Sequence, residues 1–173
     1  TIKDDSIDTE GWDLIGDQII PTLYLGKEYI VVKGYAITSE YVYILATQNN
    51  TKIWINDEES KTLNEKDTYA LKLEEAAYYI SSDKPIYVYH LTGYLREAGS
   101  ALLPPIECTG SKQVGFTRTN RGTLALIILT HNGNQSHFLF NGDSTIISPE
   151  VFEQVSIANS DWVYARIKLS TAV

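Results

Sequence analysis

Methionine is absent from the 173 residues of this chain, and cysteine occurs only once, at Cys108. A natural chain starts with methionine, so its absence from position 1 predicts a fragment or a processed domain of a larger protein. A single cysteine cannot form an internal disulfide, and the fold therefore does not depend on one. At this length a chain buries a continuous core without such cross-links.

Basic residues are also scarce, because 14 Lys and Arg stand against 22 Asp and Glu, for a net charge of −8. Proteins that bind nucleic acid need a clustered basic face, so this balance argues against a nucleic-acid partner. Long apolar runs are missing as well. The longest, LALIIL at 124–129, has the length of a buried strand and is far shorter than the roughly 18 residues of a membrane span. We therefore expect no direct membrane insertion.

Helical periodicity is weak, and its best candidate, EEAAYYI at 74–80, is too short to predict a helix. Twelve tyrosines and many Thr, Ile and Val favour strands instead. Short strands at intervals of about ten residues predict an all-β fold: a two-sheet, mainly antiparallel β-sandwich of jelly-roll-like character. SPEVFEQV at 148–155 predicts one helical turn or none, with Ser148 as the candidate cap and Pro149 at the first helical position. The predicted strands cover 27–37, 41–47, 51–56, 68–73, 85–94, 114–119, 123–130, 136–141 and 162–169.

An internal echo links two parts of the chain. ILATQNNTKIWIND, from Ile44, and ILTHNGNQSHFLFNGD, from Ile128, share the order strand, Asn-rich turn, short strand and second turn. Asn tolerates the positive φ of tight turns, so each segment predicts a hairpin. We interpret the chain as one domain, 1–173, built from two similar halves at about 25–100 and 112–170.

Cys108 lies in LLPPIECTGS, 102–111, and is the first candidate for catalysis. A cysteine nucleophile needs a base, here His90, His131 or His137, to form the thiolate. None of these histidines has flanking residues typical of a catalytic site. We therefore predict that the protein is not an enzyme, that Cys108 is a small buried residue without a histidine contact, and that this segment is a hinge between the halves.

Trp54 is the main candidate for ligand binding. Side chains alternate along a strand, so Ile53 and Ile55 of TKIWIN would point into the core and Lys52, Trp54 and Asn56 outward. An outward ring with polar neighbours suits a sugar or a protein loop. The alternative is that loops or neighbouring strands cover the ring.

Acidic turns make calcium a candidate cofactor, because hard cations bind carboxylate and carbonyl oxygens. The candidate ligands are Asp57, Glu58 and Asp143, which occupy equivalent turns of the echoed segments. The alternative is an ordinary solvated turn. The three acidic groups in the sequence are Asp4, Asp5 and Asp8; Asn56, Asp57, Glu58 and Glu59; and Asn141 with Asp143.

Five phrases taken together resemble the IgGFc-binding-protein N-terminal-like domain. They are GWDLIGDQIIPT (11–22), LGKEYIVVKG (25–34), ILATQNNTKIWIN (44–56), SSDKPIYVYHLTGY (81–94) and LLPPIECTGS (102–111). Such domains are common in large secreted or surface proteins of Bacteroidota, often beside PKD-type or other adhesin repeats. The resemblance implies an extracellular, β-rich, non-enzymatic module. It supplies no catalytic motif and does not imply antibody binding.

Three functions are consistent with these features. The first is an adhesion module of a cell-surface or secreted adhesin, with an extracellular protein or glycan as its ligand. The second is a carbohydrate-binding module assisted by calcium. The third is a structural spacer whose only partners are neighbouring domains of the same chain.

Overall fold

A computed structural model describes residues 15–37, 39–116, 122–155 and 160–169. Strands make up 49% of the structure, and the described residues contain no α-helix. Nothing helical in these ranges is long and apolar enough to cross a membrane. The all-β prediction is therefore confirmed. Within the described ranges, four short 3-10 turns lie at Thr22–Tyr24, Ile106–Cys108, Gln135–His137 and Pro149–Val151.

The chain divides into two compact units, Thr1–Thr109 and Gly110–Val173. The boundary between the units, at Thr109 and Gly110, falls within 102–111, the segment predicted to be a hinge. That the chain is built from two similar halves stays a prediction.

The first unit is a sandwich of two sheets. One sheet has the order β1-β7-β4-β5; the other has the order β2-β8-β3-β6, with β9 paired to β8. All pairings are antiparallel except that of β2 with β8. The strands are β1 (Glu28–Val32), β2 (Tyr35–Ala36), β3 (Tyr41–Ala46), β4 (Thr51–Ile55), β5 (Glu58–Leu63), β6 (Thr68–Lys72), β7 (Ala77–Ser82), β8 (Ile86–Leu95) and β9 (Glu97–Leu102).

The core of this unit contains side chains from both sheets. Alternate residues of β1, β4 and β7 in one sheet and of β3 and β8 in the other form a single apolar cluster. Burial of this surface is the main stabilising contribution, at about 25 cal/mol per Å² of apolar area. The cluster consists of Tyr29, Val31, Val42, Ile44, Ala46, Ile53, Leu63, Leu73, Tyr78, Ile80, Ile86 and Val88.

KEYIVVKGYAI, expected as one strand at 27–37, is two strands in different sheets. β1 pairs with β7, whereas β2 pairs with β8. Gly34 lies between them in a tight space, since a Cβ there would be 2.3 Å from Thr92 Oγ1. The alternating apolar pattern does not reveal this change of sheet, because both strands are extended.

The hairpin expected at 44–56 is wrong, because β3 and β4 lie in different sheets and the Asn-rich segment between them crosses from one to the other. In the echoed segment, the strand Leu124–His131 is followed by a 3-10 turn at Gln135–His137, so the strand predicted at 136–141 is also wrong. The second turns of the echo do agree. Asn56 and Asp57 have φ of 51° and 68°, and Asn141 and Gly142 have φ of 52° and 86°.

The second unit contains a three-stranded antiparallel sheet of order β10-β12-β11. Its core combines one face of β10 and β12 with the phenylalanines of the intervening segment. Of the two alternatives left open at 148–155, the structure has the single turn, the 3-10 turn Pro149–Val151, and the Glu150 N–H donates to Ser148 Oγ. Of the strand predicted at 114–119, residues 114–116 are not a strand and the rest lies outside the described residues. The strands are β10 (Leu124–His131), β11 (Glu153–Gln154) and β12 (Trp162–Leu169).

Candidate functional site

The β4–β5 hairpin carries the residues that the sequence singles out for ligand binding. Ile55 pairs with Glu58, so Asn56 and Asp57 form a two-residue turn, and their positive φ values match the type I′ geometry. Asn56 also ties the turn to β7: its N–H donates to the Tyr79 carbonyl at 2.8 Å, and its Oδ1 accepts from the Tyr79 N–H at 2.9 Å. The hairpin is therefore a rigid support.

Trp54 points away from the core, as the alternation predicts. Ile53 is fully buried, whereas Trp54 is half-buried and Lys52 is exposed. Because of a bulge between Ile53 and Trp54, Trp54 lies opposite Glu59 of β5. On the other side, Trp54 pairs with Ser81 of β7. The ring thus lies on the outer face of its sheet, where part of it is open to solvent.

A shallow groove of about 340 Å³ runs along the end of this hairpin. Its walls combine one aliphatic side chain with amide, hydroxyl and carboxylate groups. It is lined by Ile55, Asn56, Glu58, Glu59 and Ser60. Two of the predicted ligand and metal residues, Asn56 and Glu58, therefore meet in one place, next to the strand that carries Trp54.

The electrostatic environment of this face is negative. Burial, as the largest cause, and the nearby carboxylates of Glu28 and Asp57 together raise the pKa of Tyr79 to about 12. A phenol ionises less readily when negative charges are near. The carboxylates of Glu28 and Asp57 thus add negative charge beside the hairpin.

The predicted calcium ligands have different surroundings. Asp57 and Glu58 are exposed at the β4–β5 turn. Asp143, in the second unit, accepts 2.7 Å hydrogen bonds from the N–H and the Oγ1 of Thr145, which lower its pKa. The described ranges contain no group of three or more His, Cys, Asp or Glu side chains placed to hold a metal ion. The remaining acidic group, at positions 4–8, lies outside the described residues, and calcium binding stays a prediction.

Cys108 is exposed, so the prediction that it is buried is wrong. Cys108 is the last residue of the 3-10 turn Ile106–Cys108, and its backbone N–H donates to the Pro105 carbonyl at 2.9 Å. Pro105 is the buried residue of this segment, and its ring lies against Gly26, where a Cβ would be 2.4 Å from the Pro105 Cβ. Pro105 thus has the packing role that was expected of the cysteine.

His90 is held inside the sandwich by a carboxylate, Glu40, that is not among the residues predicted from the sequence. Glu40 is only 1% exposed, and its Oε2 lies 3.2 Å from His90 Nε2. It also accepts hydrogen bonds from Thr92 Oγ1 at 2.8 Å, the Gly34 N–H at 2.8 Å and the Ala36 N–H at 3.1 Å. Burial tends to raise the pKa of Glu40, but these hydrogen bonds outweigh it and hold the pKa below its usual range.

The buried carboxylate has a structural role in this arrangement. It satisfies the buried backbone N–H of Gly34 and the partly buried N–H of Ala36, which would otherwise lack this acceptor. It also holds β2 against β8, to which that two-residue strand is paired only at Tyr35 and Ala36. A glutamate directly before an apolar strand gives no sequence signal of burial, since most such residues are solvated.

Neither the curated proteins nor the solved structures contain a significant match to this chain. Residues 4–172, however, match the family described as IgGFc binding protein. The match spans almost the full length of both units, and the chain belongs to the IgGFc binding protein family.

Proposed function

We propose that this chain is a non-catalytic, extracellular binding module of an adhesin-like protein, and that it takes a protein ligand on the outer face around Trp54. The observation that carries the proposal is the half-buried Trp54, which stands on a rigid hairpin with Lys52 and Asn56 beside it. Tryptophans that are partly exposed in this way commonly dominate binding energy in protein interfaces. Membership of a family described as IgGFc binding protein supports a protein ligand and an extracellular location.

The charge of this unit favours a basic partner. Residues 1–109 contain nine Lys and Arg against eighteen Asp and Glu, whereas residues 110–173 are nearly balanced, with five against four. Near Trp54, the carboxylates of Glu59 and Asp57 contribute to this excess of negative charge. Complementary charge accelerates encounter and excludes unsuitable partners. A cationic side chain of the partner also binds well over an indole face.

A non-catalytic role is supported by the surroundings of the candidate catalytic groups. His90 is 5% exposed and its Nε2 is committed to Glu40, while Cys108 is exposed at the end of a 3-10 turn. A general base has to reach the proton of its nucleophile, which a buried histidine cannot do for a solvent-exposed thiol. Alkylation of Cys108 under native conditions tests this part, because an activated thiolate reacts much faster than an ordinary cysteine.

A glycan ligand is the second candidate, and the same ring favours it. The open part of Trp54 offers an apolar surface next to the amide of Asn56, a combination that suits sugar rings. Calcium at Asp57 and Glu58 would assist such binding. A spacer role, with contacts only to neighbouring domains, is the remaining alternative.

Immobilised chain can be tested against IgG Fc fragment, a basic globular protein, an acidic globular protein and a glycan array, with and without calcium. We expect the protein probes with a basic surface to bind. Trp54→Ala should lower the affinity for these probes at least tenfold, as for a central interface residue. Trp162→Ala, which removes a half-buried tryptophan from the other unit, is the matched control. Binding that survives Trp54→Ala in a folded variant excludes this face. Binding to glycans alone supports the second candidate, and no binding at all supports the spacer.

A further inference from the structure

The chain contains two Asn-Gly pairs, Asn132-Gly133 and Asn141-Gly142, both exposed in the second unit. Asn-Gly is chemically labile because a glycine without Cβ does not hinder its own backbone nitrogen from approaching the preceding side chain. The deprotonated nitrogen attacks Cγ of the asparagine, a C–N bond forms, and the carboxamide leaves as ammonia. Water then opens the cyclic imide to aspartate or isoaspartate. The net change replaces an amide with a carboxylate, and water is the only co-reactant.

At the first pair, one side chain engages both groups that would react. The Gly133 N–H donates to Gln135 Oε1 at 2.6 Å, and Gln135 Nε2 donates to Asn132 Oδ1 at 2.7 Å. The backbone is fixed on either side. The Asn132 N–H donates to the Asp161 carbonyl at 2.7 Å, and the Asn134 N–H donates to the His131 carbonyl at 3.2 Å.

These two hydrogen bonds oppose ring closure. Removal of the Gly133 proton would leave a negatively charged nitrogen facing the lone pairs of Gln135 Oε1. Rotation of the Asn132 carboxamide onto that nitrogen would break its bond to Gln135 Nε2. Because both bonds stabilise the unreacted state, their loss has to be added to the barrier. We propose that Asn132 is a latent site of imide formation and that Gln135 restrains it.

Asn141-Gly142 is an internal reference for this proposal. Its turn is closed by backbone bonds between Phe140 and Asp143, at 2.9 and 3.0 Å. Among the described residues, no side chain bridges the Asn141 carboxamide and the Gly142 N–H as Gln135 does at the other pair. The two sites therefore share the labile dipeptide but differ in the restraint on the reacting groups.

Reaction at Asn132 would change the end of the β10–β12 pair. The His131 and Trp162 rings stack there with centroids 3.9 Å apart, and His131 Nδ1 lies 3.3 Å from Asp161 Oδ2. A new carboxylate at position 132 adds negative charge beside Asp161, and isoaspartate lengthens the backbone that bonds to it. Gln135 therefore protects the chemical integrity of this end of the sheet, whatever ligand the other unit binds.

The test is the rate of amide loss at each pair during incubation of the folded chain at mildly alkaline pH. Trypsin releases both pairs in one peptide, 122–166, because no Lys or Arg lies between Arg121 and Arg166. Fragmentation in the mass spectrometer then assigns the product to Asn132 or Asn141. We expect Gln135→Ala to accelerate reaction at Asn132 about fivefold or more, with the rate at Asn141 unchanged.

Gln135→Glu separates the two bonds, since it keeps an acceptor for the Gly133 N–H but loses the donor to Asn132. Its rate at Asn132 should lie between those of the wild type and Gln135→Ala. An unchanged or slower rate at Asn132 in Gln135→Ala overturns the proposal. Equal acceleration at both pairs also overturns it, because that result indicates general loosening of the unit. Circular dichroism of each variant confirms that the folded chain is compared.

Discussion

Glu40 and His90 lie 50 residues apart in the sequence, yet Glu40 Oε2 and His90 Nε2 are 3.2 Å apart inside the first unit. Removing the carboxylate leaves the buried N–H of Gly34, the partly buried N–H of Ala36 and the hydroxyl of Thr92 without their acceptor. We expect Glu40→Ala to lower the free energy of unfolding by about 3 kcal/mol, measured by urea denaturation.

Glu74→Ala is the control for this variant, because Glu74 is an exposed glutamate of the same unit. Its effect should stay within about 0.5 kcal/mol. Equal effects of the two variants would mean that the buried carboxylate contributes no more than a solvated one.

The pH dependence of stability follows from the same residue. The pKa of Glu40 is held below its usual range in the folded chain. Between the folded and the unfolded pKa of this carboxyl, the folded state therefore binds fewer protons than the unfolded state. Its contribution is complete above the unfolded pKa of about 4.3 and is lost as pH falls through the lower folded pKa. The stability difference between wild type and Glu40→Gln should therefore shrink as the pH falls below about 4. A difference that grows on acidification contradicts this sign.

Gly34 is predicted to tolerate no side chain, for a steric reason. A Cβ at this position would lie 2.3 Å from Thr92 Oγ1 and 3.2 Å from Glu40 Oε1, which would disturb the buried network. We expect Gly34→Ala to destabilise the chain by about 2 kcal/mol. Gly99→Ala is the matched control, because a Cβ there has no neighbour within 4 Å, and it should be close to neutral. Similar thermal melting of both variants would show that β2 and β8 move apart easily.

The tip of the β8–β9 hairpin holds a strained residue. Leu95 has a φ of 55° and its side chain is 51% exposed. The left-handed conformation costs an L-residue roughly 1–2 kcal/mol, and glycine avoids most of this cost. Leu95→Gly should therefore raise the free energy of unfolding by up to about 1 kcal/mol, despite the loss of some apolar contact.

Leu23→Gly provides the contrast for Leu95→Gly. Leu23 is 83% exposed but is not among the residues with positive φ, so glycine should only destabilise there. Destabilisation by both substitutions would indicate that the Leu95 side chain makes contacts that outweigh its backbone strain.

The strands that follow simple alternation could be predicted from the sequence. β3, β4, β8 and β12 lie close to their expected positions because their apolar residues repeat every second position. β5, EESKTL, was missed because five of its six residues are exposed, and only its pairing with β4 makes it a strand. β7 includes part of the weak helical candidate, and its pairing with β1 and β4 overrides that local tendency.

The candidate site shows the same division between local and distant information. The outward direction of Trp54 follows from its immediate neighbours, Ile53 and Ile55, and was predictable. The burial of Glu40 depends on groups 4, 6, 50 and 52 residues away, so no local pattern reveals it. The exposure of Cys108 was likewise hidden, because it depends on how Pro105 packs against Gly26.

The repeated passage of the chain between the two sheets of the first unit has a kinetic consequence. β3 and β6 belong to one sheet, and β4, β5 and β7 belong to the other, so neither sheet can assemble from one continuous stretch of chain. Pairing β1 with β7 joins Glu28 to Ser81, and it closes a loop whose entropy is lost before the core is complete. Folding of this unit should therefore be slow and all-or-none, on the millisecond-to-second scale typical of such topologies. During synthesis, residues 28–63 would have to wait for β7 and β8 to emerge before they could hold their native positions.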